Sequence, residues 1–397
     1  MPQESRTEPS RPTILHLVQP VEGGVARVVT DLVRAQTAEG VRAIVACPPG
    51  GELADRAEAA GARVRLWNAA REPGPGLPVE VLAAGRLIRR DRPHLVHAHS
   101  AKAGLAARLA VRGRVPTVFQ PHAWSFEAVA GRTARAALTW ERYATRWSTR
   151  TLCVSESERR TGERAGIAAR WAVIRNGVDL GHFAPADGLA PEDDRRTARA
   201  SLDALGDVPA DAPLVVCVGR LCRQKGQDTL LTAWPRVLAR VPAARLLLVG
   251  DGPDREHLVR DAPPGVLFAG AVPDTGPWLR AADLLVLPSR WEGMALAPLE
   301  AMACGRPVVV TDVGGAGESL PPGHRRHSLV PPGDPGALAA AVAALLTDAG
   351  LRAALGGEAR AHVRATGDVR ATAAAVLDLY RDLLLPHHPP TRKSAKR

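Results

Sequence analysis

Long apolar runs are missing from this 397-residue chain. The longest nearly uninterrupted one, ALAAAVAALL at 337–346, falls well short of the roughly 20 residues that a membrane-spanning helix needs, so no span is expected. The start, MPQESRTEPSRP, is polar and proline-rich, with no apolar segment behind a basic one, which argues against a secretory leader and for a cytoplasmic chain. Cysteine is scarce and odd in number: Cys47, Cys153, Cys217, Cys222 and Cys304 sit mostly inside apolar runs and form no C-x-x-C pair. That excludes a disulfide framework and a zinc knuckle, and points to reduced core thiols. Aromatics make up 4% of the chain, and no aromatic-interleaved basic motif or helix-turn-helix stands out, so nucleic acid is not an expected partner. No Asp-x-Asp pair stands where it could hold a metal, and neither a metal nor a cofactor is expected.

What is present describes an ordinary globular protein: 46% hydrophobic and 23% charged residues, enough apolar surface to fold. The length predicts two domains. The net charge of +11 is uneven, because residues 1–200 carry 30 Lys/Arg against 21 Asp/Glu while residues 201–383 carry 18 against 20. The basic excess is therefore N-terminal. It fits a solvated face, an arginine-heavy compositional habit, or a surface that attracts anionic lipid headgroups.

Short apolar runs alternate with alanine-rich segments of helical length. The first series is TILHLV, RAIVAC, RVRLW, HLVHAH, PTVFQ, TLCVS and WAVIRNG; the second is LVVCVGR, ARLLLVG, GVLFAG, DLLVLPS, PVVVTD and HSLV. Such alternation predicts βαβ units on parallel sheets, with strands covered on both faces. Between the series, residues 184–213 are rich in proline, aspartate and alanine and read as a connector with one short helix. The expected organisation is a tail at 1–11, a doubly wound α/β domain at 12–183, the connector, a second such domain at 214–367, an amphipathic helix at 368–385 and a polar tail at 386–397. In doubly wound sheets, ligands gather beyond the carboxyl ends of the strands.

Those strand ends carry the chemistry. After LVVCVG, Arg220 and Lys225 share a loop with Gly219 and could bracket a diphosphate, the arginine as a planar fork and the lysine as a point charge. Two surface cations on a loop give the same pattern. The loops DGPDREHL and AVPDTGPWL, with Gly250 and Val272, could offer backbone groups to a planar base. In WEGMALAPLE, Glu292 precedes a helix whose first turn holds Glu300, so both carboxylates can face one pocket. The amides of Gly293, Met294, Ala295 and Leu296 lie near a positive helix end that suits an anion. Simple complementation of the helix dipole would also explain Glu300.

GRLCRQKG, LVGDGP, PSRWEGMALAPLEAMACGRPVVVTDVGG and VIRNGVD together resemble the retaining nucleotide-sugar glycosyltransferases of the GT4 type, with Glu292 and Glu300 matching their E-x7-E signature. The resemblance runs from HLVQPVEGGVARVV to LAALLTD. It implies the GT-B fold, two Rossmann-like domains facing across a cleft. It also implies transfer of a hexose or N-acetylhexosamine from a nucleotide-diphosphate sugar, a UDP-sugar above all, with retention and without an obligatory metal. Arg220 and Lys225 would then stabilise the leaving diphosphate, Glu300 would bind the ribose, and Glu292 with the amides of Gly293 to Leu296 would bind the sugar. The same resemblance places Gly23 and Gly24 where side chains would obstruct the substrates, and His122 of FQPHAWSF beside the donor sugar. HSAKAG matches a subgroup motif of polysaccharide and lipid-linked glycan transferases, which implies His99, Ser100 and Lys102 as acceptor residues; Lys102 could meet an acceptor phosphate, and a surface lysine snorkelling to water gives the same pattern. The expected acceptor is a glycan or polyprenyl-linked molecule presented at a membrane. Met294, where family members often have phenylalanine, and Ala123, where they often have glycine, bear on which donor is used.

Three rivals are weighed against this. A nucleotide-sugar 2-epimerase has a similar pair of domains but is disfavoured by the E-x7-E and NGVD elements. A transferase acting on a small-molecule acceptor keeps the same donor residues. A non-catalytic binding subunit would be expected to have lost Arg220, Lys225 or the glutamates, and all are present.

Overall fold

A computed structural model describes residues 11–185, 191–206 and 208–385. The tail expected at 1–11, apart from Arg11, the tail at 386–397, and positions 186–190 and 207 of the connector lie outside the described residues.

Each run of the two series noted above forms a strand. The first series gives β1 (Thr13–Val18), β2 (Arg42–Cys47), β3 (Arg63–Leu66), β4 (Leu95–His99), β5 (Thr117–Gln120), β6 (Arg150–Cys153) and β7 (Trp171–Val173). The second gives β8 (Leu214–Val218), β9 (Arg245–Val249), β10 (Val266–Gly270), β11 (Leu284–Leu287), β12 (Val308–Thr311) and β13 (Leu329–Val330). They assemble into two all-parallel sheets, ordered β3-β2-β1-β4-β5-β6-β7 and β10-β9-β8-β11-β12-β13. Central strands such as β1, β4 and β8 are buried at every position, as helices on both faces require. In both sheets the order reverses beside the first strand, between β1 and β4 and between β8 and β11. A crevice opens at that point beyond the strand ends.

The two units are joined at NGVD. Val178 pairs with Asp368 as an isolated parallel bridge, its N–H donating to Gly367 O at 2.8 Å and its carbonyl accepting from Val369 N at 3.1 Å. Gly177 lies against this crossing, and a Cβ there would strike the Asp368–Val369 backbone. The chain thus crosses between the domains twice at one place. The helix Val369–Leu384 then returns to the first domain and packs on the helix Gly23–Ala38. The connector holds the helix Pro191–Ala200, whose C-terminal Arg199 is buried and pairs with Asp283 at 2.6 Å.

The cysteines are all free, and four of the five are buried, with Cys222 half-buried. Among the described residues no single helix is long and apolar enough to cross a membrane; one bent pair, Pro335–Thr347 with Ala349–Thr366, passes by length and composition. The first of these helices buries Leu338, Val342 and Leu345 in the second domain's core.

Candidate functional site

The loop after β8 is shaped by glycines. Gly219 and Gly250 adopt φ of +156° and +137°, and a Cβ on Gly250 would run into the Gly219 carbonyl. Gly250 therefore serves first to let two backbones meet. Gln227 Nε2 donates to Arg220 O at 3.0 Å, and Arg290 N to Gln224 O at 2.7 Å, so the loop is anchored at both ends. Lys225 Nζ lies 2.5 Å from Glu292 Oε1, which also accepts from Ser289 Oγ at 2.8 Å. The cationic loop after β8 and the acidic turn after β11 thus meet at the switch point of the second sheet. Glu292 borders a pocket with Ser289, Ala295, Pro298 and Thr311.

Glu300 lies in the helix Leu296–Ala303 and is 3% exposed. Arg27, from the facing domain, pairs with its Oε1, while Thr275 Oγ1 donates to Oε2 at 3.3 Å. Burial raises the Glu300 pKa and the Arg27 charge opposes the rise. Around this contact the domains meet directly. A Cβ on Gly24 would meet Leu296 at 3.9 Å, and Arg56 Nη2 donates to Pro273 O at 3.1 Å beside the half-buried Val272. Gly23, at φ +73°, has open space where its Cβ would be. Arg27 went unnoticed in the sequence; the signal was its place one helical turn after Gly23-Gly24.

The two strand ends of the first domain are strained. Ser100 after β4 has φ +74°, and His122 and Ala123 after β5 have +57° and +117°. Such geometry at a non-glycine residue costs about 1–3 kcal/mol and clusters where function needs it. Buried Glu158 holds the second turn, accepting from Ala123 N and Val154 N at 2.7 Å each; its pKa is raised by burial to about 7. Gly293 packs directly on this turn, where a Cβ would meet the His122–Ala123 backbone. The carbonyls of Gly293 and Met294 accept from Gly315 N at 2.6 Å and Asn176 Nδ2 at 2.8 Å. Because a trans peptide opposes its N–H and C=O, the amides of Met294 and Ala295 point away from those partners. Met294 is buried, with its methyl close to Gly315. Glu318 adds a further tie across the domains, accepting from Glu156 N and Ser157 N at 2.9 and 2.6 Å.

Behind His122 lies a stack of imidazoles. β1 and β4 pair His16 with His97, and alternation puts His99 on the same face. His122 Nε2 lies 3.1 Å from His99 Nδ1, His99 Nε2 3.0 Å from His16 Nδ1, and His16 Nε2 2.9 Å from Gln36 Oε1. His97 lies over His99 at 3.9 Å between centroids and is 2.5 Å from Tyr380 of the returning helix. Burial lowers the pKa of His16 to about 4 and of His122 to about 3, and holds His97 and His99 well below the usual value. All four rings are neutral at pH 7.

The acceptor assignments need correction. His99 is fully buried in this stack. Lys102 is 4% exposed; its ammonium sits 2.6 Å from Glu80 Oε2 and donates to Glu72 O at 2.9 Å. An ammonium enclosed and paired in this way cannot meet an acceptor phosphate. Glu80 Oε1 also accepts from Ala70 N at 2.9 Å, so the buried pair grips the backbone on both sides of Arg71. Arg71 is exposed as a whole residue, but partial desolvation of its guanidinium lowers its pKa, and the charge of nearby Arg220 lowers it further. Of the three predicted acceptor residues, Ser100 alone is neither buried nor ion-paired.

Comparison with known proteins agrees in extent with this architecture. Residues 22–182 match a family described as Glycosyltransferase Family 4, and residues 212–348 one described as Glycosyl transferases group 1. The GDP-mannose-dependent alpha-(1-6)-phosphatidylinositol monomannoside mannosyltransferase of Mycobacterium tuberculosis is 31% identical over 91% of this chain and 95% of its own length. A GDP-mannose-dependent monoacylated alpha-(1-6)-phosphatidylinositol monomannoside mannosyltransferase of Corynebacterium glutamicum is 37% identical over 48% of this chain, which there spans about half of that relative, 51%. The crystal structure of Anabaena Alr3699/HepE in complex with UDP and glucose superposes with a TM-score of 0.79 over 94% of this chain and 100% of its own, at 23% identity.

Proposed function

Since the chain belongs to the GT4-type glycosyltransferases, with the GT-B fold, we propose that it transfers a hexose or N-acetylhexosamine from a nucleotide-diphosphate sugar to a glycan or lipid-linked acceptor, with retention at the anomeric carbon. The observation that carries this reading is the meeting of the Arg220–Lys225 loop with Glu292, at 2.5 Å from Lys225, at the switch point where Glu300 faces Arg27. Arg220 and Lys225 would hold the diphosphate and stabilise the charge that develops as it leaves. Glu300 would take the ribose hydroxyls in place of Arg27. Glu292 and the amides that follow it would position the sugar against His122, and the front-face attack would be assisted by the leaving diphosphate. No metal is required in this scheme. An epimerase is not supported by the relatives.

The acceptor would approach from the first domain, where Arg71 faces Arg220. A membrane-presented acceptor fits the exposed Arg132, Arg135, Arg142 and Arg146 near exposed Val129 and Tyr143, a basic and partly apolar surface suited to anionic lipid. It also fits the phosphatidylinositol mannoside named for the relatives above.

A melting panel with UDP-, GDP- and ADP-sugars, followed by transfer assays, tests the reading. A donor at about 100 times its dissociation constant stabilises the fold by roughly 2.7 kcal/mol. The largest rise is expected from a UDP-sugar. A larger rise from GDP-mannose, the donor named for the relatives, would change the base and keep the reaction. No rise with any nucleotide sugar would contradict the proposal.

A further inference from the structure

We propose that Gln36, acting through His16 and His99, sets the tautomer of His122, turning its Nε2–H inward and leaving Nδ1 as the hydrogen-bond acceptor offered to the donor sugar. The sugar contact rests on the reading above; the relay does not.

A neutral imidazole has one donor and one acceptor nitrogen, and which is which follows from the bond made by the other nitrogen. His16 and His99 are fully buried, so neither can exchange partners with water. With its amide oxygen toward His16, Gln36 only accepts, so His16 Nε2 at 2.9 Å carries the proton and His16 Nδ1 accepts; the opposite amide orientation would reverse every link, and the buried Gln36 Nε2 has no hydrogen-bond partner among the described residues to forbid it, so the wild-type tautomer measured below decides between the two. His99 Nε2 then donates at 3.0 Å, and its Nδ1 accepts from His122 Nε2 at 3.1 Å. Each link leaves no choice for the next. His122 is partly exposed where the other rings are not, so its Nδ1 is the end of the relay that reaches the cleft. Gln36 is fully buried on the helix Gly23–Ala38, whose first turns carry Gly23, Gly24 and Arg27. His97, over His99 and tied to Tyr380, steadies the ring planes. Gln36 is in this sense a positioning residue, three hydrogen bonds away from the ring it controls.

The test uses the full chain with ¹⁵N-labelled histidine, His122 being assigned by the resonances lost in His122→Asn. The wild type is expected to show His122 protonated at Nε2 and unprotonated at Nδ1. Gln36→Leu is expected to give a mixture of His122 tautomers and to lower kcat/KM for the donor by about 10- to 100-fold, with the circular dichroism unchanged. If Gln36→Leu fails to fold, Gln36→Met makes the same test. Gln36→Glu, which keeps a carbonyl oxygen toward His16, is expected to restore the wild-type spectrum. Nδ1 protonated in the wild type, or His122 signals unchanged in Gln36→Leu, would overturn the relay. So would a stoichiometric divalent ion on His16, His97 and His99, whose nitrogens lie within 4.8 Å of one another. Wild-type rates in His122→Asn would remove the sugar contact from the proposed function, while the spectra still decide the relay.

Discussion

Lys225→Ala is expected to lower kcat by about 100- to 1,000-fold, the loss typical when one preorganised partner of a developing negative charge is removed. The effect should fall on kcat more than on KM, because the leaving diphosphate gains charge as its bond to the sugar breaks. The fold around the site does not depend on this side chain. Gly226 turns the loop at φ +67°, Gln224 and Arg220 are held through their carbonyls, and Glu292 keeps its bond from Ser289. The Lys225–Glu292 pair is mostly buried, its side chains 19% and 10% exposed, so leaving Glu292 without its partner costs more than the about 1 kcal/mol of an exposed pair and up to roughly 3 kcal/mol. The melting temperature should therefore fall by up to roughly 10 °C with the fold retained. A near-normal kcat in Lys225→Ala would remove the loop from the reaction.

Acid should destabilise the protein early, above the pH at which ordinary exposed carboxylates protonate. Four histidines are held neutral by burial, His16 with a pKa of about 4 and His122 of about 3, whereas in the unfolded chain each titrates near 6.5. Between those values the unfolded state binds more protons than the folded one, so stability falls as pH falls. Glu158 works in the opposite sense. Its pKa is raised to about 7, so its contribution is present at low pH and lost as pH rises through 7. His122, nearer the cleft, contributes less than the three fully buried rings. The three fully buried rings outweigh the one carboxyl, so between pH 7 and pH 4.5 the net result is a loss of stability that grows as pH falls. Melting curves from pH 7.5 to 4.5 measure it; a melting temperature that stays flat down to pH 5 would contradict the neutral stack.

The strands were legible because parallel strands covered on both faces leave continuous apolar runs, and residues at their ends stand beside glycines that permit tight turns. Arg220, Lys225, Glu292 and Glu300 could be read from that pattern, and their meeting followed once β8 and β11 became neighbours. Arg27 was not legible, since an arginine on an amphipathic helix looks like a solvated residue until the facing domain brings Glu300 to it. The histidine stack was hidden for a similar reason. His97 and His99 alternate within one run, but His16 lies 81 residues earlier and joins them only through the β1–β4 register. Lys102 was misjudged because position after a strand end does not reveal which side of the helix Ser100–Val111 its ammonium takes; Glu80, on the neighbouring helix Leu77–Asp91, decides that.

Crystals grown with the nucleotide sugar that stabilises the protein most would test the site as a whole. The diphosphate is expected against Arg220 and Lys225 and the ribose against Glu300, with the Arg27 guanidinium displaced from that carboxylate. A diphosphate bound elsewhere, with Arg27 still paired to Glu300, would contradict the assignment of these loops to a single donor.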